Sequence, residues 1–123
     1  MIFARRVFLI AAIYGFVVLP PQYLLEDKTG RDFPPPITHS EYYYGFIGLA
    51  LVWQIVFFLI SRDPIRYRPL MIPAVLEKVA FGVPAIALYS MERLSAQMLG
   101  AGLLDLALGV LFAMAYVRTR SSS

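Results

Sequence analysis

Four apolar runs, each long enough to cross a bilayer, leave this chain little choice of fold. They read VFLIAAIYGFVVLPPQYLL at 7–25, YYYGFIGLALVWQIVFFLIS at 42–61, LMIPAVLEKVAFGVPAIALYSM at 70–91 and AQMLGAGLLDLALGVLFAMAYV at 96–117. A hydrocarbon core of about 30 Å needs roughly 20 residues of helix, and these runs have that length. Backbone groups in lipid must be satisfied within the segment, so the runs are expected to be helices. The β-branched and aromatic content of 42–61 would suit a strand in water, but its unbroken length argues for helix. Composition agrees: 59% of the 123 residues are hydrophobic and 15% charged, whereas soluble domains carry about 25% charged residues.

The first run resembles a signal peptide in one respect, because Arg5 and Arg6 precede its apolar core. No small-x-small cleavage site follows, and the run continues past Pro20 and Pro21 through Tyr23, Leu24 and Leu25. It is expected to stay as a spanning helix, bent near its outer end by the two prolines. The chain thus reads as one all-α domain, a four-helix transmembrane bundle, without internal repeat or soluble domain.

Basic residues set the threading. Arg5, Arg6, Arg62, Arg66, Arg68, Arg118 and Arg120 fall on one side, and only Lys28, Arg31 and Arg93 on the other. The positive-inside bias then places both termini in the cytoplasm. The outer loop at 26–41 reads EDKTGRDFPPPITHSE. Pro34 to Pro36 favour extended polyproline there, and Gly30 a turn. Thr38 and Glu41 have the spacing of a capping box for the second span, with Tyr42, Tyr43 and Tyr44 at headgroup level. The inner basic loop at 62–69 contains Asp63–Pro64, an N-cap and first-turn pair, so a short interfacial turn is expected over 64–68. Arg62, Arg66 and Arg68 act first as topology signals and meet anionic lipid headgroups.

Several chemistries are excluded or unsupported. Without cysteine there is no disulfide and no thiolate ligand, and the lone His39 rules out a multi-histidine metal site within one chain. His39 reads as ordinary surface. Phosphate-loop, nucleophile-elbow and HExxH patterns are missing, and no cofactor, metal or nucleic acid is implied. Catalytic residues are not identifiable.

The informative residues are polar ones inside the spans. At 1.5 Å per residue, Tyr14, Gln54 and Glu77 lie about 10 Å, and Lys78 about 12 Å, from the inner edge. Asp105 lies nearer the midplane. An acid or lysine at mid-span costs about 2.5–3.5 kcal/mol on insertion scales, so these groups must face the bundle interior. Their neighbours agree. Asp105 shares a helix face with Met98, Gly102, Gly109, Phe112 and Tyr116, and Lys78 with Ala74, Gly82 and Ala85. Glu77 shares its stripe with Leu70, Pro73, Phe81, Pro84 and Leu88. Small residues on such faces permit close helix approach.

Adjacent helix positions point about 100° apart, so Glu77 and Lys78 are expected to look into neighbouring grooves. Asp105 is the obvious partner for Lys78, yet side chains lean toward their own N-terminus, and these two would lean apart. Glu77 with Gln54 or Tyr14 needs no such correction. Gln54 itself suits a helix–helix hydrogen bond, and Trp53, too deep for the interfacial belt, suits packing.

The stretches EYYYGFIGLALVWQ at 41–54, RDPIRYRPLMIPAVLEK at 62–78 and DLALGVLF at 105–112 resemble small bacterial four-span membrane proteins. More distantly, the architecture is similar to DoxX-like four-helix membrane proteins. That resemblance implies a bundle in a bacterial inner membrane and carries over no functional residue. Three functions fit. The first is a binding or transport component whose groove of Glu77, Lys78, Asp105, Gln54 and Tyr14 holds a hydrophobic, cationic or protonatable ligand. The second is a structural or accessory subunit whose charges serve packing, and the third, weaker, an enzyme on a lipid-soluble substrate. Partners are then the lipid bilayer and either further copies of the chain or another membrane protein.

Overall fold

The computed structural model describes residues 2–32 and 37–120, with Arg120 described by its backbone alone. The run Pro34 to Pro36, expected as extended polyproline, lies outside the described residues. Five helices follow one another: α1 (Ile2–Val18), α2 (Glu26–Asp32), α3 (Ser40–Arg62), α4 (Met71–Ser90) and α5 (Ala96–Arg120). Among the described residues there is no strand. Four stretches among the described residues are long and apolar enough to span a membrane: Ile2–Leu24, Ser40–Arg62, Arg68–Ser90 and Ala96–Thr119. The protein is an all-helical, multi-pass membrane bundle.

The helices overrun the apolar runs at the end that carries both termini. α1 begins at Ile2 and carries Arg5 and Arg6 within it, and α5 continues to Arg120. Arginine is a good helix former and its long arm reaches back to water, so nothing stops the helix at the edge of the apolar run.

At the opposite end some details depart from expectation. The first span runs through Ile2–Leu24 with a bend at Leu19, and the prolines also change its helix type. α1 stops at Val18, and Pro20–Leu24 form a 3₁₀ turn, since two successive prolines remove the N–H groups that would continue the ladder. Gly30 sits inside α2, buried, rather than in a turn. Glu26 and Asp27 at the start of α2 and Arg31 at its end suit the helix dipole, and Lys28 pairs with Asp32 one turn on. No capping box forms. His39 precedes α3 without a side-chain cap, and Glu41 turns instead to the His39 ring at 3.3 Å, with that ring stacked on Tyr42.

The α3–α4 connection follows the Asp–Pro signal. Asp63 Oδ1 accepts the Arg66 N–H at 3.3 Å, Pro64 is buried, and a 3₁₀ turn at Arg68–Leu70 leads into α4. α4 ends in a Schellman motif. Arg93 N–H donates to Leu88 O at 2.8 Å and Glu92 N–H to Tyr89 O at 3.0 Å, with Glu92 at φ 58°.

Two antiparallel pairs build the bundle, α1 with α3 and α4 with α5, and α1 packs on α5 to join them. α3 and α4 scarcely touch. The core lies toward the termini: Ala4, Phe8, Ala11, Phe57, Ile60, Met71, Ala74, Phe112 and Ala115 are buried there. Phe8 stacks on Phe112 with centroids 4.2 Å apart, and Phe57 meets Phe112 edge-on at 4.9 Å. Trp53 packs against this cluster. Outside, residues such as Leu49, Val52, Leu76, Val83 and Val110 are exposed, the surface a bilayer would cover.

α4 and α5 make the closest contact because small residues oppose each other. A Cβ added at Gly102 would stand 2.5 Å from the Ala85 Cβ, and one at Gly82 would stand 2.3 Å from Leu106 Cγ and 3.0 Å from Gly102 O. Gly102→Ala should therefore push the two helices apart and lower the thermal unfolding temperature in detergent, at a cost of about 1–3 kcal/mol. Adding Ala85→Gly frees the same space on the facing helix, so the double variant should recover most of the loss. A double variant no more stable than Gly102→Ala would show that this contact does not set the helix spacing.

Candidate functional site

Where α3 and α4 separate, a cavity of about 630 Å³ opens above the aromatic core. Val18, Leu19, Phe46, Ile47, Ala50, Phe81, Met98 and Ala101 give it mostly apolar walls, and it extends to Lys28 and Asp32 of α2. Tyr14, Gln54, Glu77, Lys78 and Asp105 all line this one cavity. Four helices thus deliver the five polar side chains singled out in the sequence to a common space.

Lys78 is the centre of the arrangement and is only 5% exposed. Its Nζ lies 3.5 Å from Asp105 Oδ1 and 3.5 Å from Glu77 Oε2. The Phe57 ring is its third neighbour, with the ammonium 5.1 Å from the ring centroid. An ammonium with two carboxylates and an aromatic face around it is well compensated in a low-dielectric setting.

Two of these contacts correct the directions inferred from helix geometry. Lys78 and Asp105 meet although their side chains start out leaning apart. Gly109 explains it: a Cβ there would lie 3.2 Å from the Lys78 Cβ, so the two backbones are close at that level. Asp105 stands on the same face of α5, one turn N-terminal to Gly109, and the extended lysine stem bridges that turn. Glu77 and Lys78 do not keep to separate grooves either, because the flexible four-carbon stem brings Nζ back to the neighbouring carboxylate.

Gln54 departs from the interhelical hydrogen bond expected of it. Its Nε2 donates to Ala50 O of its own helix at 2.8 Å. The side chain lies flat over Gly15 of α1, where an added Cβ would fall 2.1 Å from Oε1. Glycine at position 15 is thus what lets a buried glutamine cross the α1–α3 contact. Tyr14, at 42% exposure, borders the cavity from α1. No bond joins Glu77 to either residue among the described contacts, and Glu77 Oε2 is buried with no hydrogen-bond partner.

Three further residues shape the site. Tyr43 donates its hydroxyl proton to Gln22 O at 2.7 Å, closing the α1–α3 side of the cavity near α2. Tyr43 is hidden in sequence within a tyrosine run that reads as a headgroup belt, and Gln22 behind a proline pair. Phe57 was detectable in principle, since it falls three residues after Gln54 on the same helix face. Among the described residues no cluster of three or more histidine or acidic side chains is arranged to hold a metal ion.

The arginines expected at headgroups separate into two kinds. Arg62 and Arg66 are exposed. Arg68 turns inward, donating Nε–H to Tyr116 O at 3.1 Å and Thr119 Oγ1 at 3.2 Å, with its guanidinium 3.7 Å from the Tyr116 ring centroid. It caps the C-terminal turn of α5, where helix carbonyls lack partners. His39 is exposed on the surface.

No family model, curated protein or solved structure matches the chain. The site is therefore interpreted from its geometry.

Replacing Lys78 by methionine leaves Glu77 and Asp105 facing each other without a cation. We expect Lys78→Met to destabilise the bundle by about 3 kcal/mol in detergent unfolding. The triple variant Lys78→Met, Glu77→Gln, Asp105→Asn should regain much of this, because the uncompensated charge is gone. If Lys78→Met unfolds like the parent, the ammonium is not what compensates the two acids.

Proposed function

We propose that the protein is a binding or transport component for an apolar ligand carrying a protonated amine, held in the cavity above Lys78. The observation that carries this reading is the convergence of Tyr14, Gln54, Glu77, Lys78 and Asp105 on one 630 Å³ space, with Glu77 Oε2 buried and held only by its 3.5 Å ion pair with Lys78. Apolar walls with a few converging polar groups are the usual make-up of a small-molecule site. Two carboxylates and one ammonium leave a deficit of positive charge when all are ionised, which an amine would supply. The ligand's N–H would satisfy Glu77, and its apolar body would lie along Phe46, Ile47 and Phe81.

The threading belongs to the same proposal: both termini and the 63–70 connection face the cytoplasm of a bacterial inner membrane. Support comes from the arginines at that end, with Arg5, Arg6, Arg62, Arg66, Arg68 and Arg118 against Lys28, Arg31 and Arg93 at the other. The natural absence of cysteine makes this easy to check. Thr29→Cys should label from outside intact cells with a membrane-impermeant maleimide, and Ile65→Cys only after permeabilisation. The reverse pattern overturns the orientation.

A second reading has its own support. The Lys78 stem against Gly109 and the bridge to Asp105 are what an interhelical clasp would use, so the chain would then be an accessory subunit. Dye binding separates the two. Rhodamine 6G, an apolar cation with N–H donors, should bind the detergent-solubilised protein, read by fluorescence anisotropy. Glu77→Gln should weaken it at least tenfold, about 1.4 kcal/mol, while the unfolding temperature stays near that of the parent. Failure of the parent to bind, or equal binding by Glu77→Gln, sinks the ligand site and favours the clasp.

A further inference from the structure

A second cavity, of about 330 Å³, lies at the termini end in the groove between α1 and α3 and is lined by Arg5, Arg6, Leu9, Phe58, Ser61 and Arg62. Three arginines border it. Arg5 donates from Nη1 to the Arg62 carbonyl at 3.4 Å, which ties the start of α1 to the end of α3. Among the described residues no ion pair involves any arginine, and this cavity has no acidic lining residue. Asp63, next along the chain, is occupied with the Arg66 backbone N–H.

The other arginines at this end are engaged elsewhere. Arg68 is held by α5, Arg66 lies over the Tyr67 ring, and Arg118 lies 4.2 Å from the Phe3 ring centroid, while Arg62 lies over the Phe58 ring of the groove itself, 6.0 Å from its centroid. Like charges gathered without a counter-charge repel one another, and a bound anion relieves that repulsion. The lower walls of the groove are apolar. Leu9 and Phe58 are exposed on the outer face one turn further into the spans, where acyl chains run. The Ser61 hydroxyl, whose proton is given to Phe58 O at 2.5 Å, keeps its oxygen lone pairs and marks the polar boundary of the groove.

We propose that this groove binds the phosphate of an anionic membrane lipid, with Arg5, Arg6 and Arg62 on the headgroup and one acyl chain along Leu9 and Phe58. Arginine suits phosphate because its planar fork donates two parallel N–H groups. The site is separate from the cavity above Lys78 and stands whether or not that cavity holds a ligand.

The test uses nanodiscs of phosphatidylcholine containing phosphatidylglycerol, with lipids retained after gentle detergent release identified by native mass spectrometry. Parent protein should retain phosphatidylglycerol selectively. Arg5→Gln with Arg62→Gln should lower that selectivity by at least about tenfold, on the scale of fivefold per arginine. Arg66→Gln with Arg118→Gln removes the same charge from the same end and should change it little. Equal losses in the two double variants would reduce the effect to general surface charge and overturn the site. Should the first double variant fold poorly, Arg6→Gln alone must still lower selectivity by about fivefold. Excess inorganic phosphate should not displace the lipid; displacement at millimolar phosphate would mean that the groove takes free phosphate, which overturns the lipid assignment.

Discussion

The structure depends on how closely α4 and α5 approach. Lipid offers no water to reward burial of apolar side chains between helices, so association in a membrane rests on close packing and on polar groups that find partners. Gly82, Gly102, Ala85 and Gly109 remove side-chain bulk along one continuous seam. That closeness brings the Lys78 stem onto Gly109 and its ammonium within 3.5 Å of Asp105. With bulkier residues on the seam, the lysine would be left without its partner on α5. Helix spacing and charge compensation are thus one feature seen from two sides.

The same pairing accounts for the shape of the interior. α1 joins the two helix pairs through Phe8, whose ring stacks on Phe112, and the aromatic cluster fills the end nearest the termini. Toward α2 the backbones of α3 and α4 stand further apart, and a single tilted pair, Phe46 with Phe81 at 6.0 Å by ring centroids, spans between them. The bundle is therefore solid at one end and hollow at the other, with Lys78 at the boundary. Phe57 belongs to both regions, as a core residue and as the aromatic face beneath the ammonium.

Much of this could be read from the sequence, for physical reasons. A bilayer imposes a length, and four runs of that length specify four helices before any packing is considered. The polar residues inside those runs were legible for the same reason, because their cost in lipid forces them inward. What escaped was whatever depends on distances between helices. Side-chain lean separates Lys78 from Asp105, and only the glycine opposite Lys78, which closes the gap between backbones, reunites them. Gln54 found its own helix carbonyl and the surface of Gly15, a choice that periodicity cannot distinguish from a bond across the interface. Over 26–32 local signals compete. Gly30 is a turn former by itself, but Glu26, Asp27, Lys28, Arg31 and Asp32 supply enough charge complementarity to wind it into α2.

The stoichiometry of the buried charges bears on what the site is for. A clasp between two helices needs one acid for one lysine, and Asp105 already serves Lys78 from α5. Glu77 adds a second carboxylate from the lysine's own helix, which does nothing to join α4 to α5. Its presence raises the insertion cost by about 2.5–3.5 kcal/mol, and its Oε2 has the 3.5 Å ion pair with Lys78 but no hydrogen bond. A packing device gains little from such a residue, whereas a site for a cationic ligand needs it. Both carboxylates and the lysine border the same cavity, which is the geometry the proposed amine ligand would require. The two acids differ in what they join: Asp105 links α5 to the lysine of α4, whereas Glu77 pairs with that lysine from within α4.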